Sequence, residues 1–449
     1  MDEIKFNIGD KVEIVSKDKN IKGTIMPGEK DIIVIKLSNG YNVGINKNNV
    51  RSIKIMERFK EEKKNKSKKE TEKGSSKKYL SKKNKLPTIS LLHTGGTIAS
   101  RVDYRTGGVV ARYSPEEILE MYPELKDIVN LECRLIGNMW SDDLRFKNFI
   151  SMANEIIKEY KKGVKGVILT QGTDFLTYTA STLSLMLNSI DIPVIIVGAQ
   201  RSSDRGSSDA PMNLICAAEF ISQTKFKGVG ICMHETSDDI FCAILPPCKT
   251  RKMHSSRRDA FKPINSKIIA RINYENRKIN FVDESYDNLI QNEDKFTPLL
   301  EMEEKVGLIK IHPNMNEVQF ACFRGYKGLV IEGSGLGHAP IDSPNKDTVP
   351  NLKVKEEIKN LIDSGTIVVM TTQCIYGAVN MNVYSKGRDL IEMGVLQAKC
   401  LPETALIKLS WLLGNFSKEM KSKKKAQELI DKEFSNEMFY RVEDNTFLI

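Results

Sequence analysis

Apolar and polar residues alternate one by one through much of the first 55 residues, which is the period of strands with one buried face. The alternation runs on both sides of Asn39-Gly40, a dipeptide that favours the tight turn of a β-hairpin. The apolar members of the two strands are Ile33, Ile35 and Leu37 before the turn and Tyr41, Val43 and Ile45 after it. Residues 1–55 are therefore predicted to form a small β-barrel of the SH3 or Tudor type. Such a barrel either binds a ligand or serves as a docking or spacer module, and both alternatives stay open.

Residues 56–86 have a different composition, because apolar residues become scarce and lysines dominate. Between Lys60 and Lys85 there are twelve lysines and four glutamates, so this segment alone carries +8 of the net charge of +10. The segment has too little apolar surface to offset the entropy lost on ordering, which predicts a flexible basic linker. This linker either attracts RNA phosphates or acts as a solvated spacer.

From Pro87 onward, short apolar runs alternate with longer stretches of helical period. The run TISLLHT predicts a first strand, and three more buried strands are predicted in VKGVILTQGTD, DIPVIIVGAQR and FKGVGICM. The helical stretches FLTYTASTLSLMLNS and APMNLICAAEFIS separate the last three. Strands that alternate with helices at this spacing predict a parallel sheet covered on both faces.

This alternation is interrupted once and then resumes. We expect a large α/β domain over residues 87–265, a polar connector over 266–303 and a smaller C-terminal α/β domain over 304–449. In the smaller domain, VGLIKI, KGLVIEG and GTIVVMTTQ predict strands, and PETALIKLSWLLGN predicts an amphipathic helix. The predicted fold class is therefore a two-domain α/β body with parallel sheets, preceded by a small β-barrel.

The bulk features exclude several classes of protein. The opening MDEIKFNIGDK is charged where a secretory signal needs an apolar core, and no apolar run has the length of a membrane span. Eight cysteines and five histidines are scattered without the paired spacing of a zinc site or a disulfide framework. We expect a cytoplasmic protein with no membrane anchor and no metal site.

Candidate chemistry stands directly after the predicted strands, where open parallel sheets bind their ligands. The segments concerned are Thr94-Gly95-Gly96-Thr97, Thr170-Gln171-Gly172-Thr173-Asp174 and Gly198-Ala199-Gln200-Arg201. Neither a dinucleotide fingerprint nor a phosphate-binding P-loop is present. Further along, Ser208 or Asp209 is predicted to cap the helix that begins at APMNL. The first two segments bring hydroxyls flanked by glycines to the same edge as a carboxylate.

A threonine hydroxyl is a weak nucleophile at neutral pH, so it needs a base or a group that stabilises its alkoxide. Lys252, in KTRKMHSSRRDAF, is the candidate for this role. A water-poor cleft would favour its neutral amine, whereas a neighbouring Asp174 would favour its ammonium form. Lys252 could also be one more member of a basic cluster, and the sequence leaves these alternatives open.

Two motifs resemble signatures of a known family. TGGTIAS and TQGTDFLTYTA are similar to the two signatures of the L-asparaginase/glutaminase family, and the resemblance spans roughly Pro87 to Leu413. A closer resemblance is to the glutaminase subunits of archaeal amidotransferases that act on Glu-tRNA(Gln). It is carried by the segments RKMHSSRRDAF and CLPETALIKLSWLLGN and by the β-barrel predicted before the α/β body.

The resemblance implies a role for each matching residue. Thr97 corresponds to the nucleophile that forms an acyl-enzyme ester. Thr173 and Lys252 would pass protons, and Asp174 would hold the ammonium group of the substrate. The remaining candidates would bind the substrate or form a lid over it, and they are Tyr104, Ser141, Asp142, Gly172 and Ala199. Bacterial asparaginases have Ser-Gln where this chain has Ser141-Asp142, and an acid there would favour the ammonium over the carboxylate of the substrate.

The implied activity is hydrolysis of glutamine, with transfer of ammonia to a heteromeric partner, the E subunit of such an amidotransferase. That partner would use ATP and magnesium to amidate Glu-tRNA(Gln), and no cofactor would be bound by this chain. The family resemblance also implies a homodimer within a heterotetramer. Two alternatives remain, which are a stand-alone L-asparaginase and an RNA-binding scaffold with an inactive enzyme body.

Overall fold

The computed structural model describes most of the chain. The described residues are 6–17, 19–28, 31–37, 42–58, 86–96, 100–102, 109–111, 122–203, 205–283, 286 and 296–440. The predicted turn at Asn39-Gly40 and residues 59–85 of the predicted linker lie outside these ranges.

The N-terminal module is a five-stranded antiparallel sheet. Its strands are β1 (Lys11–Ser16), β2 (Asn20–Met26), β3 (Ile32–Lys36), β4 (Asn42–Asn46) and β5 (Val50–Glu57). They lie side by side in the order β4-β3-β2-β1-β5. One set of alternating side chains forms a small apolar core, composed of Val12, Ile14, Ile25, Ile33, Ile35 and Ile45. The β-rich character expected from the alternation is therefore confirmed.

The large α/β domain is built on one eight-stranded sheet. Its strands are β6 (Thr88–His93), β9 (Asn130–Leu135), β10 (Gly166–Thr170), β11 (Pro193–Val197), β12 (Gly228–His234), β13 (Phe241–Leu245), β16 (Ala270–Asn273) and β17 (Ile279–Phe281). Two short pairs stand apart from it, namely β7 (Ser100–Val102) with β8 (Val109–Ala111) and β14 (Thr250–Lys252) with β15 (Phe261–Pro263). The sheet order is β17-β16-β13-β12-β11-β10-β6-β9. Strands β6, β10, β11 and β12 are parallel, as predicted, and β9, which was not predicted, pairs parallel with β6.

Helices cover both faces of this sheet. They are α1 (Leu125–Ile128), α2 (Phe146–Lys161), α3 (Leu176–Met186) and α4 (Ala210–Gln223). Successive side chains of a strand point to opposite faces. Leu169 accordingly joins the apolar cluster of α2 and α3, whereas Ile168 joins the cluster of α4. The near-continuous apolar composition of β10 and β11 is the consequence of this double coverage.

The C-terminal domain has a four-stranded parallel sheet in the order β18-β19-β20-β21. Its strands are β18 (Val306–Lys310), β19 (Gly328–Gly333), β20 (Ile367–Thr372) and β21 (Leu396–Gln397). Its helices are α5 (Glu317–Ala321), α6 (Pro350–Asp363), α7 (Ser385–Met393), α8 (Pro402–Asn415) and α9 (Lys423–Asp431). Single turns of 3₁₀-helix occur at Lys47–Asn49, Ser141–Asp143, Lys346–Thr348 and Glu419–Lys421.

Helix α8 is buried on nearly all sides, so the prediction of an amphipathic helix is wrong. It packs against α3 of the large domain and against β19 of its own sheet. Thr404, Lys408 and Ser410, which create the polar pattern, are each at most 2% exposed. Their polar atoms are all bonded inside the protein, for example by the 2.7 Å ion pair between Lys408 Nζ and Glu437 Oε1. Polar residues can be buried when they are hydrogen-bonded, and a hydrophobic pattern cannot show that.

The region predicted as a polar connector, residues 266–303, contributes two strands to the sheet. β16 pairs antiparallel with β13, and β17 pairs antiparallel with β16 and forms the edge of the sheet. Ala270 and Ile272 are buried, while Arg271 between them is exposed. An antiparallel strand with only one covered face keeps half of its positions polar, so this segment has the composition of a loop.

Candidate active site

The carboxyl ends of β6, β10 and β11 lie next to one another because the strands are parallel and in register. His93 pairs with Thr170, and Thr170 pairs with Val197. The segments that follow are joined directly, since the Thr94 hydroxyl and amide both donate to the Thr170 carbonyl oxygen, at 3.0 and 3.1 Å. The three candidate segments therefore share one edge of the sheet.

A turn of two glycines closes the first of these segments. Gly95 and Gly96 have φ angles of +104° and +87°, a region that side-chain-bearing residues rarely adopt. A Cβ on Gly96 would lie 2.2 Å from the backbone nitrogen of Gly172. Only a glycine lets the two loops approach this closely. Thr97 and Tyr104 themselves lie outside the described residues.

The side chains of Thr173, Asp174 and Lys252 meet at this edge. Lys252 Nζ donates to Thr173 Oγ1 at 2.9 Å and to Asp174 Oδ1 at 2.8 Å. Thr173 is 7% exposed and the Lys252 side chain 15%, whereas the Asp174 side chain is 65% exposed. The amine therefore bridges a buried hydroxyl and a carboxylate that is open to solvent, and three groups able to move or hold protons are in direct contact.

Ser141 holds the segment that contains Thr173 and Asp174 in place. Its Oγ accepts hydrogen bonds from the backbone amides of Asp174 and Phe175, at 3.1 and 3.3 Å. These amides belong to the start of α3, where donors have no partner inside the helix. Gly172 leaves room for this serine, because a Cβ there would lie 3.0 Å from Ser141 Oγ. The neighbouring Asp142 is exposed.

A buried histidine lies behind this edge. His93 Nδ1 lies 2.8 Å from Thr170 Oγ1, and His93 is 1% exposed. Burial lowers the pKa of His93 to about 4, so the imidazole is neutral at physiological pH. Its ring is hydrogen-bonded to the last residue of β10.

Residues from the C-terminal domain support the strand that carries Lys252. Arg251 Nε donates to Glu403 Oε1 at 2.8 Å, and Thr404 Oγ1 donates to the Cys248 carbonyl at 2.7 Å. Glu403 and Thr404 form the first turn of α8. These contacts could not be predicted from the sequence, because the segment PETAL indicates only the start of a helix.

Neither a metal site nor a membrane helix is found in the described part of the chain. Among the described residues, no cluster of three histidine, cysteine or acidic side chains could hold a metal ion. None of the eight cysteines, all of which lie in the described ranges, forms a disulfide. Of the helices that the structure describes, none is long and apolar enough to cross a membrane.

Two α/β domains with a threonine, aspartate and lysine cluster at the sheet edge define an amidohydrolase of the asparaginase class. The model "Asparaginase, N-terminal" matches residues 88–286, and "Glutaminase/Asparaginase C-terminal domain" matches 305–426. A third model, "GatD N-terminal domain", matches residues 6–56. The resemblance drawn from TGGTIAS and TQGTDFLTYTA is thereby confirmed.

Full-length relatives narrow the assignment. The D subunit of glutamyl-tRNA(Gln) amidotransferase from Pyrococcus furiosus is 40% identical over 99% of this chain and 98% of its own length. The protein of the same name from a Methanococcus maripaludis strain is 39% identical over 96% of this chain and 98% of its own. The chain therefore belongs to the family of glutamyl-tRNA(Gln) amidotransferase D subunits.

Solved structures match the α/β body. The L-asparaginase of Thermococcus kodakarensis superposes with a TM-score of 0.68 at 27% identity, covering 78% of this chain and 99% of its own. A probable cytoplasmic L-asparaginase of Campylobacter jejuni superposes with a TM-score of 0.61 at 26% identity. The match covers 77% of this chain and 100% of that enzyme. These enzymes are thus matched almost completely, while about a fifth of this chain has no counterpart in them.

Replacing Gly96 by alanine is expected to lower amide hydrolysis about 100-fold. The added Cβ would collide with the Gly172 backbone, so the two loops must separate, and a displacement of about 1 Å in a catalytic site typically costs a rate factor on the order of 10². Initial rates of ammonia release measure the effect. Gly163→Ala is the control, because Gly163 also has positive φ but its added Cβ would meet no heavy atom within 4 Å. Equal activities of the two variants would contradict the packing argument.

Proposed function

We propose that this chain is the glutaminase subunit of an enzyme that converts Glu-tRNA(Gln) to Gln-tRNA(Gln). The observation that carries the proposal is the contact of Lys252 Nζ with both Thr173 and Asp174 beside the Gly95-Gly96 turn. The N-terminal module supports the tRNA-dependent form of the activity, because residues 6–56 match the "GatD N-terminal domain" model and about a fifth of the chain has no counterpart in the matched L-asparaginases.

In the proposed reaction, the Thr97 hydroxyl attacks the side-chain amide carbon of glutamine. Backbone N–H groups at the sheet edge stabilise the oxyanion that forms. Expulsion of ammonia leaves an ester between Thr97 and the glutamyl group, which water then hydrolyses to glutamate and free enzyme.

Thr173 and Lys252 carry the protons in this scheme. Because Lys252 Nζ donates to Thr173 Oγ1, the Thr173 hydroxyl proton is free to point to another acceptor. That acceptor is the departing nitrogen. Lys252 resupplies Thr173 and regains its own proton from the Thr97 hydroxyl, which loses one when it attacks, so that ammonia leaves with no net change in the relay. A buried hydroxyl next to a mostly buried amine suits such a relay, since bulk water competes little for their hydrogen bonds.

The other residues position the substrate. Asp174, the most exposed member of the cluster, holds the substrate's ammonium group. Ser141 and Gly172 keep the Asp174 loop in place, and Tyr104 closes over the nucleophile. Asp142 and Ala199 complete the substrate site.

The ammonia passes to a partner, the E subunit, that binds ATP, magnesium and the charged tRNA. This chain itself then needs no cofactor, since amide hydrolysis uses only its own side chains. We propose a homodimer of this chain within a heterotetramer, located in the cytoplasm where its tRNA substrate is found.

Ammonia release from glutamine, measured with and without the partner and charged tRNA, tests this function. We expect glutamine turnover to rise when the partner and Glu-tRNA(Gln) are present, and we expect glutamine to be preferred to asparagine in kcat/KM. The likeness to solved L-asparaginases supports a second candidate, a stand-alone L-asparaginase. Efficient asparagine turnover that is the same with and without the partner would establish that candidate. Absence of both glutaminase and asparaginase activity would favour an RNA-binding scaffold.

A further inference from the structure

A buried lysine precedes the strand that carries Lys252. Lys249 is 8% exposed and lies directly before β14, and the proposed reaction gives it no role. Its Nζ donates a hydrogen bond to Asn436 Oδ1 at 2.8 Å. Burial lowers the pKa of Lys249, and the nearby Glu433 opposes that shift. A buried amine is unfavourable unless it is bonded, so the contact with Asn436 fixes where the Lys249 side chain lies.

Asn436 belongs to a C-terminal segment, residues 432–440, that is itself anchored in the protein interior. The adjacent Glu437 is 0% exposed and pairs with Lys408 of α8, at 2.7 Å between Oε1 and Nζ. Its carboxylate also accepts from the backbone amide of Ser435 at 2.7 Å. Both neighbours of Asn436 are therefore held by one buried carboxylate, which gives the Asn436 side chain a defined position.

The C-terminal segment contacts the hairpin of β14 and β15 at a second point. Phe439 is 4% exposed and forms an apolar cluster with Leu401 and with Ile264, the residue after β15. The Ile264 amide donates to the Lys249 carbonyl oxygen at 2.7 Å. Lys249 Nζ lies 5.8 Å from the centroid of the Phe439 ring, within the range of a cation–π contact. The backbone of Lys249 is thus bonded to a residue that packs on the segment, and its side chain is bonded to the segment itself.

Contacts along this strand alternate between the two domains, because successive side chains of a strand point to opposite sides. Arg251 bonds to Glu403 in the C-terminal domain, whereas Lys252 bonds to Thr173 at the active edge. Lys249 stands two positions before Arg251 and, like it, contacts the C-terminal domain. At about 3.3 Å per residue, the Lys249 anchor lies only about 10 Å along the strand from Lys252. Since the strand is paired with β15, a shift at one end moves the other.

We propose that Lys249 is a positioning residue that keeps Lys252 Nζ within reach of Thr173 Oγ1. Asn436 holds Lys249, and Lys249 in turn fixes the start of the strand on which Lys252 stands. This inference rests on the proposed proton relay. It adds to the relay a segment that lies beyond residue 426, where the match to the glutaminase/asparaginase C-terminal model ends.

Asn436→Gly in the full-length chain tests the proposal. Asn436 has a φ of +54°, which glycine adopts readily, so the substitution removes the acceptor without straining the backbone. We expect kcat on glutamine to fall about 10-fold, because a displaced proton-transfer group loses part of its contribution, and KM to change less than about twofold. Asn436→Asp keeps an acceptor oxygen for Lys249, so its kcat should stay within about twofold of the parent value.

A double variant shows whether the effect runs through Lys252. In a chain that already carries Lys252→Met, Asn436→Gly should lower the residual kcat less than about twofold, because the group that it positions is absent. A role confined to the stability of the fold would instead give the same loss in both backgrounds.

Asn314→Gly is the matched control, because Asn314 also has a positive φ, +64°, but is exposed on the loop after β18. Its kcat should equal that of the parent. Should Asn436→Gly fail to fold, Lys249→Met is measured in the same two backgrounds, since it removes the donor of the same hydrogen bond. An unchanged kcat, or equal losses with and without Lys252, would overturn the proposal. If the parent chain hydrolyses neither glutamine nor asparagine, it is the proposed function that fails.

Discussion

Replacing Thr97 by valine should abolish glutamine hydrolysis, with kcat lowered by roughly 10⁴- to 10⁶-fold, the loss typical of removing a catalytic nucleophile. Valine has nearly the volume of threonine, so the substitution removes the attacking oxygen and little else. The ester intermediate could then not form, and every later step depends on it. Ammonia release and mass spectrometry of the trapped acyl-enzyme both report this loss.

Thr94→Val is the matched control on the other side of the two glycines. The Thr94 hydroxyl donates to the Thr170 carbonyl, so its loss removes one buried hydrogen bond worth about 1 kcal/mol. We expect a lower melting temperature with most of the activity retained. If Thr97→Val keeps full glutaminase activity, or if Thr94→Val is the inactive variant, the nucleophile has been assigned to the wrong threonine.

Replacing Lys252 by methionine should lower kcat by about 10²- to 10⁴-fold, the usual contribution of a proton-transfer group. Methionine is unbranched and of similar length, so packing at this mostly buried position is largely kept. The variant loses the donor to Thr173 and the charge that faces Asp174. We expect the pH dependence of kcat to change shape as well, because a group of the relay is missing.

Lys262→Met separates this effect from a general loss of charge. Lys262 lies on β15, opposite Arg251 in the same short hairpin, and its amine bonds to the Glu235 carbonyl. We expect this variant to keep its kcat and its pH profile. If both lysine variants lose activity to the same extent, the hairpin matters only as a structural element, and the proposed role of Lys252 is incorrect.

Much of the fold could be predicted from local periodicity. The strands β10, β11 and β12 are apolar throughout because helices cover both of their faces, and that pattern is visible in any short window. The alternation in β3 and β4 was equally clear. By contrast, the antiparallel strands β16 and β17 and the mostly buried α8 were misjudged, since their burial depends on neighbours that are remote in sequence.

The candidate site was predictable in part for the same reason. Thr173 and Asp174 stand right after a strand, where topology alone places them at the ligand-binding edge. Lys252 is 78 residues away from Asp174, and the contact between them could be anticipated only through the family resemblance. Asp209 looked like a helix cap because its sequence context fits one. Only the three-dimensional structure shows that its carboxylate faces the loop after β11, whereas the Ser208 hydroxyl accepts from the first helical amide.

The first turn of α8 supports the segment around β14, so the large domain cannot be separated from the C-terminal domain without loss of these contacts. A fragment that ended before residue 304 would still contain Thr173, Asp174 and Lys252. It would lack Glu403 and Thr404, the two side chains that grip the lysine-bearing strand from outside the large domain. The reactive groups and part of their scaffold thus lie on opposite sides of the domain boundary, so the large domain alone would present Lys252 without these outer contacts.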